Sequence, residues 1–386
     1  MKAYNETWLR NRQIVRQSER WQRRGLLSAE QLGRIRTEHP VGFRQTNGFV
    51  EIGLFVFTMV AVSGLFFLLV SLFDPLLNIN MLSLATGLIV TVLLHVLLRE
   101  KHFYRSGIDN ALVLVTTGLV AAGLGGLLPD GLPTWAICLA TLPILLTSVW
   151  YYGDLLVTFA AFAAFCTAVV DFTLELPAGQ AILPFVGMAA GGGLYALARH
   201  YDNRPGLLYW EDDFTLLEWL ALALLILSSN YFVVRTVNFW LLDTRSPEPP
   251  EIALGWLFWL LTFLIPAGLL VLGLRKRDRP LLIMSFLGLA GALSALRYYH
   301  PLFSLETYVA LNGFLLILLA GFIIRFLKTP RHGFTDQPDE ESPDDLLFAP
   351  ETLTVVQSAA PGLSHNTDEL RFGEGDFGGG GAGEKY

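Results

Sequence analysis

The stretch FVEIGLFVFTMVAVSGLFFLLVSLF, residues 49–73, decides the fold class of this chain. It runs for 25 residues and contains a single charged side chain, that of Glu51. As an α-helix with a rise of about 1.5 Å per residue, it is long enough to cross the roughly 30 Å of hydrocarbon in a bilayer. The stretch therefore predicts a membrane-spanning helix.

Nine further apolar stretches follow along the chain. They are 76–98, 108–128, 132–150, 155–173, 180–198, 214–234, 252–274, 280–296 and 304–327. The composition agrees with this pattern, because 53% of the 386 residues are hydrophobic and only 16% are charged, whereas soluble domains carry about 25% charged residues. The sequence thus predicts an all-α, polytopic transmembrane helical bundle of about ten spans over residues 49–328.

Basic residues are distributed unevenly among the segments that connect these spans. Segments after even-numbered spans hold nine Lys or Arg residues, whereas segments after odd-numbered spans hold three. Cytoplasmic loops carry the excess of basic residues in membrane proteins. With an even number of spans, both termini are therefore predicted to lie in the cytoplasm.

Residues 1–48, which we name the head, predict a small cytoplasmic helical element. The head holds ten basic and four acidic residues. Its pattern favours helices over residues 5–23 and 29–38, the second opened by a capping box of Ser28 and Gln31. Leu26 and Leu32 are among the apolar residues expected to be buried between them. We expect the head to pack on the membrane-domain loops or to lie on the bilayer, and its Arg-rich face favours anionic lipid. No nucleic-acid recognition motif is present.

Residues 329–386 predict a disordered cytoplasmic tail. From residue 334 onwards the tail holds twelve acidic and two basic residues, and it becomes almost pure glycine between Phe377 and Gly383. Such a composition cannot bury enough apolar surface to fold alone. A short apolar patch at 346–356 is a possible docking motif for a protein partner, although a solvated tail is favoured.

Three acidic residues are candidate sites because ionisable groups are costly inside a bilayer. Asp171 and Glu175 lie four residues apart at the outer end of the fifth span, and such a pair could bind a cation or relay a proton. Carboxylates hydrated at the membrane edge are the favoured interpretation. Glu218 lies deeper in the seventh span. No catalytic, cofactor-binding or metal-binding motif is present, which favours a protein that is not an enzyme.

Four small or polar residues are candidate packing sites within the spans. Gly187 and Gly191 form a GxxxG face in the sixth span that favours close approach of another helix. The glycine-rich run 187–193 also leaves open a discontinuous span, as found in transporters. Asn230 and Asn312 are expected to form interhelical hydrogen bonds.

Two stretches resemble a known family. They are GLLSAEQLGRI, residues 25–35, in the head and RYYHPLFSLETYVALNG, residues 297–313, before the last span. Both are similar to bacterial multi-pass membrane proteins of unknown function, those of the domain-of-unknown-function family number 2157. The resemblance implies a bacterial inner membrane and no known activity, and it supplies no catalytic residues.

Two functions of different classes follow from these patterns. The leading hypothesis is a non-enzymatic scaffold or interaction protein that engages partners or lipid through its charged cytoplasmic ends. The alternative is a secondary transporter or channel for a small solute or ion that uses the sixth span. The sequence does not determine the substrate, the partner or the oligomeric state.

Overall fold

A computed structural model describes residues 2–43, 48–73, 78–202, 207–241, 251–252, 254–300 and 304–327. Within these ranges the chain consists of helices and connecting segments, with no β-strand, so the all-α prediction is confirmed. The predicted tail, residues 329–386, lies outside the described residues.

The head forms an antiparallel pair of helices, α1 (Glu6–Arg23) and α2 (Ala29–Glu38). The predicted capping box at the start of α2 is confirmed, because the Ser28 side chain accepts a hydrogen bond from the Gln31 N–H while the Gln31 side chain accepts one from the Ser28 N–H. An ion pair of 2.6 Å between Arg36 and Glu19 joins the two helices.

The apolar contact between these two helices is smaller than expected. Leu32 is buried, as predicted, but 69% of the Leu26 surface and 42% of the Trp21 surface are exposed. Trp21 lies in the last turn of α1 and Leu26 in the turn that joins α1 to α2. The expectation that Leu26 is buried is therefore wrong.

Eleven helices follow the head in the described residues. They are α3 (Gly48–Phe73), α4 (Ile79–Lys101), α5 (Ile108–Gly126), α6 (Thr134–Tyr152), α7 (Leu155–Leu174), α8 (Gly179–Asp202), α9 (Glu211–Ser229), α10 (Tyr231–Leu241), α11 (Gly255–Lys276), α12 (Arg279–Tyr299) and α13 (Leu305–Leu327). Nine of them are long and apolar enough to cross a membrane, and the bent pair α9–α10 brings the count to ten if it is one span. This is the fold of an integral, multi-pass membrane protein.

The seventh predicted span, 214–234, is broken at Asn230. Helices α9 and α10 meet there at a bend of 77°. The Asn230 Oδ1 accepts hydrogen bonds from the N–H groups of Phe232 and Val233, so the side chain caps α10. The expected interhelical bond of Asn230 is thus replaced by a local cap, because the break leaves the first N–H groups of α10 without backbone partners.

Helices α9 and α10 have the length and hydropathy of a span only when they are taken together as a bent pair, which makes the pair a broken span or a re-entrant loop. Helix α9 has 19 residues and is about 28 Å long at about 1.5 Å per residue. Helix α10 runs nearly perpendicular to it, and Trp240 on α10 is 74% exposed.

Helix α8 is continuous through the glycine-rich run, so the discontinuous sixth span is wrong. A Cβ atom at Gly191 would lie 2.8 Å from both the Ala221 carbonyl oxygen and the Leu225 nitrogen of α9, and one at Gly187 would overlap the Ser228 side chain. The absence of side chains at these two positions lets α8 and α9 approach to backbone contact.

Helices α3 and α13 lie at the periphery of the bundle, since Thr58 of α3 is the only buried residue among their described side chains. The Tyr308 hydroxyl donates to the Leu293 carbonyl oxygen and holds α13 against α12. Asn312 is half-buried on α13. The hydrogen bonds found among the described residues do not include one from its side chain, contrary to the interhelical bond expected from the sequence.

Candidate functional site

The first residues of the head dock on one end of the bundle, which we name the head end. The Ala3 N–H donates to the Tyr151 carbonyl oxygen at 3.0 Å. The Tyr4 hydroxyl donates to Asp109 Oδ2 at 3.1 Å. The Lys2 ammonium lies 4.3 Å from the centroid of the Trp210 ring. The same short segment therefore meets residues in or next to three connections between spans that are predicted to be cytoplasmic.

An aromatic layer extends this contact along α1. The Trp8 ring meets His102 edge-on at 5.0 Å, and Phe43 stacks on Tyr104 at 4.7 Å. The Arg12 guanidinium lies 4.8 Å from the centroid of the Tyr104 ring. Burial in this layer lowers the pKa of Arg12 to about 10. The head therefore contacts the bundle both at its start, through residues 2–12, and near its end, through Phe43. We call this part the base of the head.

Asp109 is 1% exposed and lies at the centre of the docking contact. It accepts hydrogen bonds from the Arg105 N–H at 2.8 Å and from the Ser106 N–H and hydroxyl at 2.8 and 2.9 Å. The Tyr4 hydroxyl supplies a fourth bond. Burial, and next the Asp109 charge, raise the pKa of Tyr4 well above its usual value. Tyr4 is thus a neutral donor to a fully bonded carboxylate.

Asp154 is a second buried carboxylate and caps α7. It is 7% exposed, and its Oδ1 accepts from the N–H groups of Leu156 and Val157 at 3.0 and 3.1 Å. Burial raises the pKa of Asp154 to about 6, although the two capping bonds oppose the shift. The carboxyl group therefore changes charge close to physiological pH.

Asp213 is the third buried carboxylate, in the first turn of α9. It is 4% exposed and accepts from the Thr158 hydroxyl at 2.6 Å. Its neighbour Asp212 forms an ion pair with Arg105. We name this group of residues the head-end cluster: Tyr4, Arg105, Asp109, Asp154, Thr158, Asp212 and Asp213.

Two glycines with positive φ allow backbone segments to meet beside this cluster. Gly107 has φ +85°, and a Cβ there would overlap the Glu51 carbonyl in the first turn of α3. Gly153 has φ +60°, and a Cβ there would lie 3.2 Å from the Tyr209 carbonyl oxygen and 3.3 Å from Asp213 Oδ2. Only glycine combines this backbone conformation with so little space.

The candidate Glu218 lies in a second charged group at the head end. It is 2% exposed, and the Arg199 guanidinium lies 3.9 Å from it and 3.6 Å from Asp278. The Tyr195 hydroxyl donates to Asp278 at 3.4 Å. Arg199 therefore links the head ends of α8, α9 and α12.

The candidates Asp171 and Glu175 have different surroundings. Asp171 Oδ2 accepts from the Trp135 N–H at 2.8 Å, which satisfies the start of α6. Glu175 is exposed at the end of α7. Among the described residues no group of three or more His, Cys, Asp or Glu side chains could hold a metal ion.

The far end of the bundle, opposite the head end, is held by aromatic residues around Arg235 of α10. Its guanidinium lies 4.9 Å from the centroid of the Tyr299 ring and donates to the Tyr231 hydroxyl at 3.1 Å. That hydroxyl donates to Glu251 at 2.9 Å, and Tyr231 stacks on Trp259 at 4.6 Å. These contacts fix α10 against α11 and α12.

The comparisons with known proteins do not assign the chain to a family. No family model matches it, and neither a curated protein nor a solved structure matches it. The resemblance to family number 2157 therefore stays a prediction.

Sequence reasoning missed Asp109 and Asp154 as members of a shared cluster. Each follows a glycine, in the runs Gly107-Ile-Asp109 and Gly153-Asp154, where a span begins at the end rich in basic residues. A carboxylate is unusual at a position where most charged neighbours are basic, and this feature could have indicated the cluster.

Proposed function

We propose that this integral membrane protein is a non-enzymatic interaction protein of the bacterial inner membrane, and that its head binds anionic lipid headgroups on the cytoplasmic side. One observation carries the proposal. The head is anchored by its base, and its turn presents exposed apolar side chains among arginines.

The turn between α1 and α2 has the composition of an interfacial membrane anchor. Trp21 and Leu26 are 42% and 69% exposed, and Arg23 and Arg24 beside them are also exposed. Aromatic and apolar side chains enter the headgroup region while basic residues attract anionic lipid, at about 1 kcal/mol for each charge. The docking contacts described above involve residues 2–12 and 43, so the turn is left available.

An environment-sensitive dye at Leu26→Cys would test this proposal in the full-length protein, with Cys138 and Cys166 replaced by Ala. The protein is reconstituted in phosphatidylcholine liposomes with or without phosphatidylglycerol. We expect blue-shifted emission only with phosphatidylglycerol, and a loss of the shift in the Arg23→Gln/Arg24→Gln variant.

Arg34→Gln is the matched control, because Arg34 is exposed on α2 but already pairs with Glu30 at 2.7 Å. This variant should keep the shift. Emission that is the same in both liposomes, or that survives the double substitution, would contradict lipid binding by the head.

Transport of a small solute or ion is the second candidate function, and the burial of Glu218 favours it. The Glu218 carboxylate is 2% exposed and is bridged by Arg199 to Asp278. A translocated cation could bind this carboxylate by displacing Arg199. Cysteine labelling along α8 tests this function, because transport requires a water-filled path and hence labelling at buried positions. Uniform protection of α8 would exclude it.

A further inference from the structure

We infer that a groove between α4 and α6 at the head end is a binding site for one anionic phospholipid of the adjoining leaflet. The acyl chain lies in the groove and the phosphate is held by Arg99. This site belongs to the membrane domain, separate from the turn of the head, and does not depend on lipid binding there.

The groove has the size of a ligand site and lies close to the membrane interface. Its volume is about 460 Å³, within the roughly 300–1,000 Å³ of small-molecule sites. His95 lies six residues before the end of α4, and Tyr151 and Tyr152 are the last residues of α6. The lining residue Ser148 is joined to α5, because the hydroxyls of Thr117 and Ser148 are hydrogen-bonded at 3.0 Å.

Two hydroxyls of the groove are bonded within their own helices. The Thr91 hydroxyl donates to the Gly87 carbonyl and the Thr147 hydroxyl to the Pro143 carbonyl, each four residues earlier in its own helix. Because these hydroxyls turn towards their own backbone, the lining offers mainly hydrocarbon. A polar ligand would find few partners, whereas an acyl chain fits the surface.

Hydrocarbon also has direct access to the groove. Val92 and Val96 on its α4 wall are 65% and 44% exposed, on a helix whose length and hydropathy suit a membrane span. In a bilayer such exposed residues contact acyl chains. A chain can therefore enter sideways from the membrane.

Arg99 supplies the charge that selects the headgroup. It follows Val96 by three residues and His95 by four, so it lies on the groove face of α4, one turn nearer the head end. It is exposed. A guanidinium pairs with a phosphate through two parallel hydrogen bonds, and the position is one turn beyond the hydrocarbon lining. An anionic phospholipid matches this arrangement, because its acyl chain would lie along the hydrocarbon lining and its phosphate would lie one turn further on, at Arg99.

The head docks beside the groove at Tyr151. The Tyr151 hydroxyl lies 3.3 Å from His95 Nδ1, and the carbonyl of the same residue accepts the Ala3 N–H. A lipid in the groove would therefore lie next to the docked segment.

Native mass spectrometry of the full-length protein in mild detergent, titrated with phosphatidylglycerol and with phosphatidylcholine, tests the inference. We expect preferential retention of one phosphatidylglycerol. Arg99→Gln should weaken its apparent affinity by about fivefold and remove the preference. Thr147→Trp should displace the lipid, because the indole fills the groove from an exposed position.

Two matched controls keep the result interpretable. Arg275→Gln removes an exposed basic residue at the end of α11, away from the groove, and should not change lipid retention. Leu146→Trp adds an indole at a neighbouring position of α6 that is 53% exposed and outside the lining. The Arg23→Gln/Arg24→Gln variant should also keep the preference, which separates this site from the head.

Two results would overturn the inference. Equal retention of both lipids by the unmodified protein would show only general contact with the membrane. Unchanged retention in both Arg99→Gln and Thr147→Trp would place any bound lipid elsewhere.

Discussion

The two ends of the α9–α10 pair are each stabilised by an arginine, but the two arginines act differently. At the head end, Arg105 pairs with Asp212 beside Asp109 and Asp213, which are 1% and 4% exposed. The Asp212 side chain is itself 30% exposed, and the positive charge of Arg105 also acts on the buried carboxyl group of Asp213. Loss of that charge would leave buried negative charges without compensation.

At the far end, Arg235 contributes mainly through packing. Its guanidinium lies over the Tyr299 ring, and its acidic partner Glu251 has a side chain that is 72% exposed. Water and salt screen such a pair, so its net contribution is small. We therefore expect the contribution of a charged residue to the free energy of unfolding to depend more on the burial of the acidic groups near it than on the distance to them.

The largest expected effect is that of Arg105→Met. We expect a loss of about 3 kcal/mol in the free energy of unfolding, because the buried carboxylates of the cluster lose their counter-charge. Unfolding by sodium dodecyl sulfate in mixed micelles, followed by circular dichroism, measures it. Arg275→Gln, at an exposed position of the same end, should change stability by less than about 0.5 kcal/mol. Similar losses in both variants would refute the role of burial.

The α8–α9 contact lies between these two ends, and its reliance on glycine can be measured. Gly191→Ala should lower the free energy of unfolding by about 2 kcal/mol, because the new Cβ meets backbone atoms of α9 that cannot move independently. Gly192→Ala is the control, since a Cβ there has open space within 4 Å. It should stabilise the helix by up to about 1 kcal/mol.

The head end should also show a pH dependence that arises from Asp154. The pKa of Asp154 is raised from 3.8 to about 6 by burial. Because the folded state binds the proton more tightly, this contribution is fully present below about pH 4 and is lost as the pH rises through about 6. Asp154→Asn keeps the cap of α7 and removes the charge.

Thermal unfolding at pH 5.5 and pH 7.5 gives the readout for Asp154→Asn. We expect the variant to be more stable than the unmodified protein at the higher pH, on the order of 1–2 kcal/mol, with a smaller difference between the two pH values. An unchanged pH dependence would show that other groups cause it.

The smallest effect should come from the far end. Arg235→Met should cost about 1 kcal/mol, the value of a partly exposed cation–π contact. Glu251→Gln should cost only a few tenths, as for exposed ion pairs. The same unfolding assay in micelles compares both with Arg105→Met. A loss for Arg235→Met as large as that for Arg105→Met would invalidate the contrast between the two ends.

Most of the fold could be predicted from the sequence. Apolar length alone located ten segments, and described helices follow nine of them within a few residues, as for the predicted span 155–173 and helix Leu155–Leu174. The seventh segment, 214–234, is divided between α9 and α10. Local chemistry also sufficed for the capping box of Ser28 and Gln31, because both partners lie within one turn. Helix length and capping depend on residues that are neighbours in the sequence, so both can be predicted from the sequence.

The site could be predicted only in part. Glu218 was singled out because a carboxylate deep in an apolar run is unusual, but its link through Arg199 to Asp278 joins residues up to 79 positions apart. The hydrogen bond between Asp213 and Thr158 joins residues 55 positions apart. Contacts at such separations leave no local pattern.

The sequence by itself determined that the chain crosses a membrane, where most of its helices begin and end, and which end of the bundle is basic. These properties follow from hydrophobicity, helix length and capping, which act over a few turns. Only the tertiary structure decided that the seventh predicted span rather than the sixth is interrupted, that Tyr4 meets Asp109, and that α4 and α6 enclose a groove. These features depend on which helices become neighbours, and helix packing is determined by the combined surfaces of several segments.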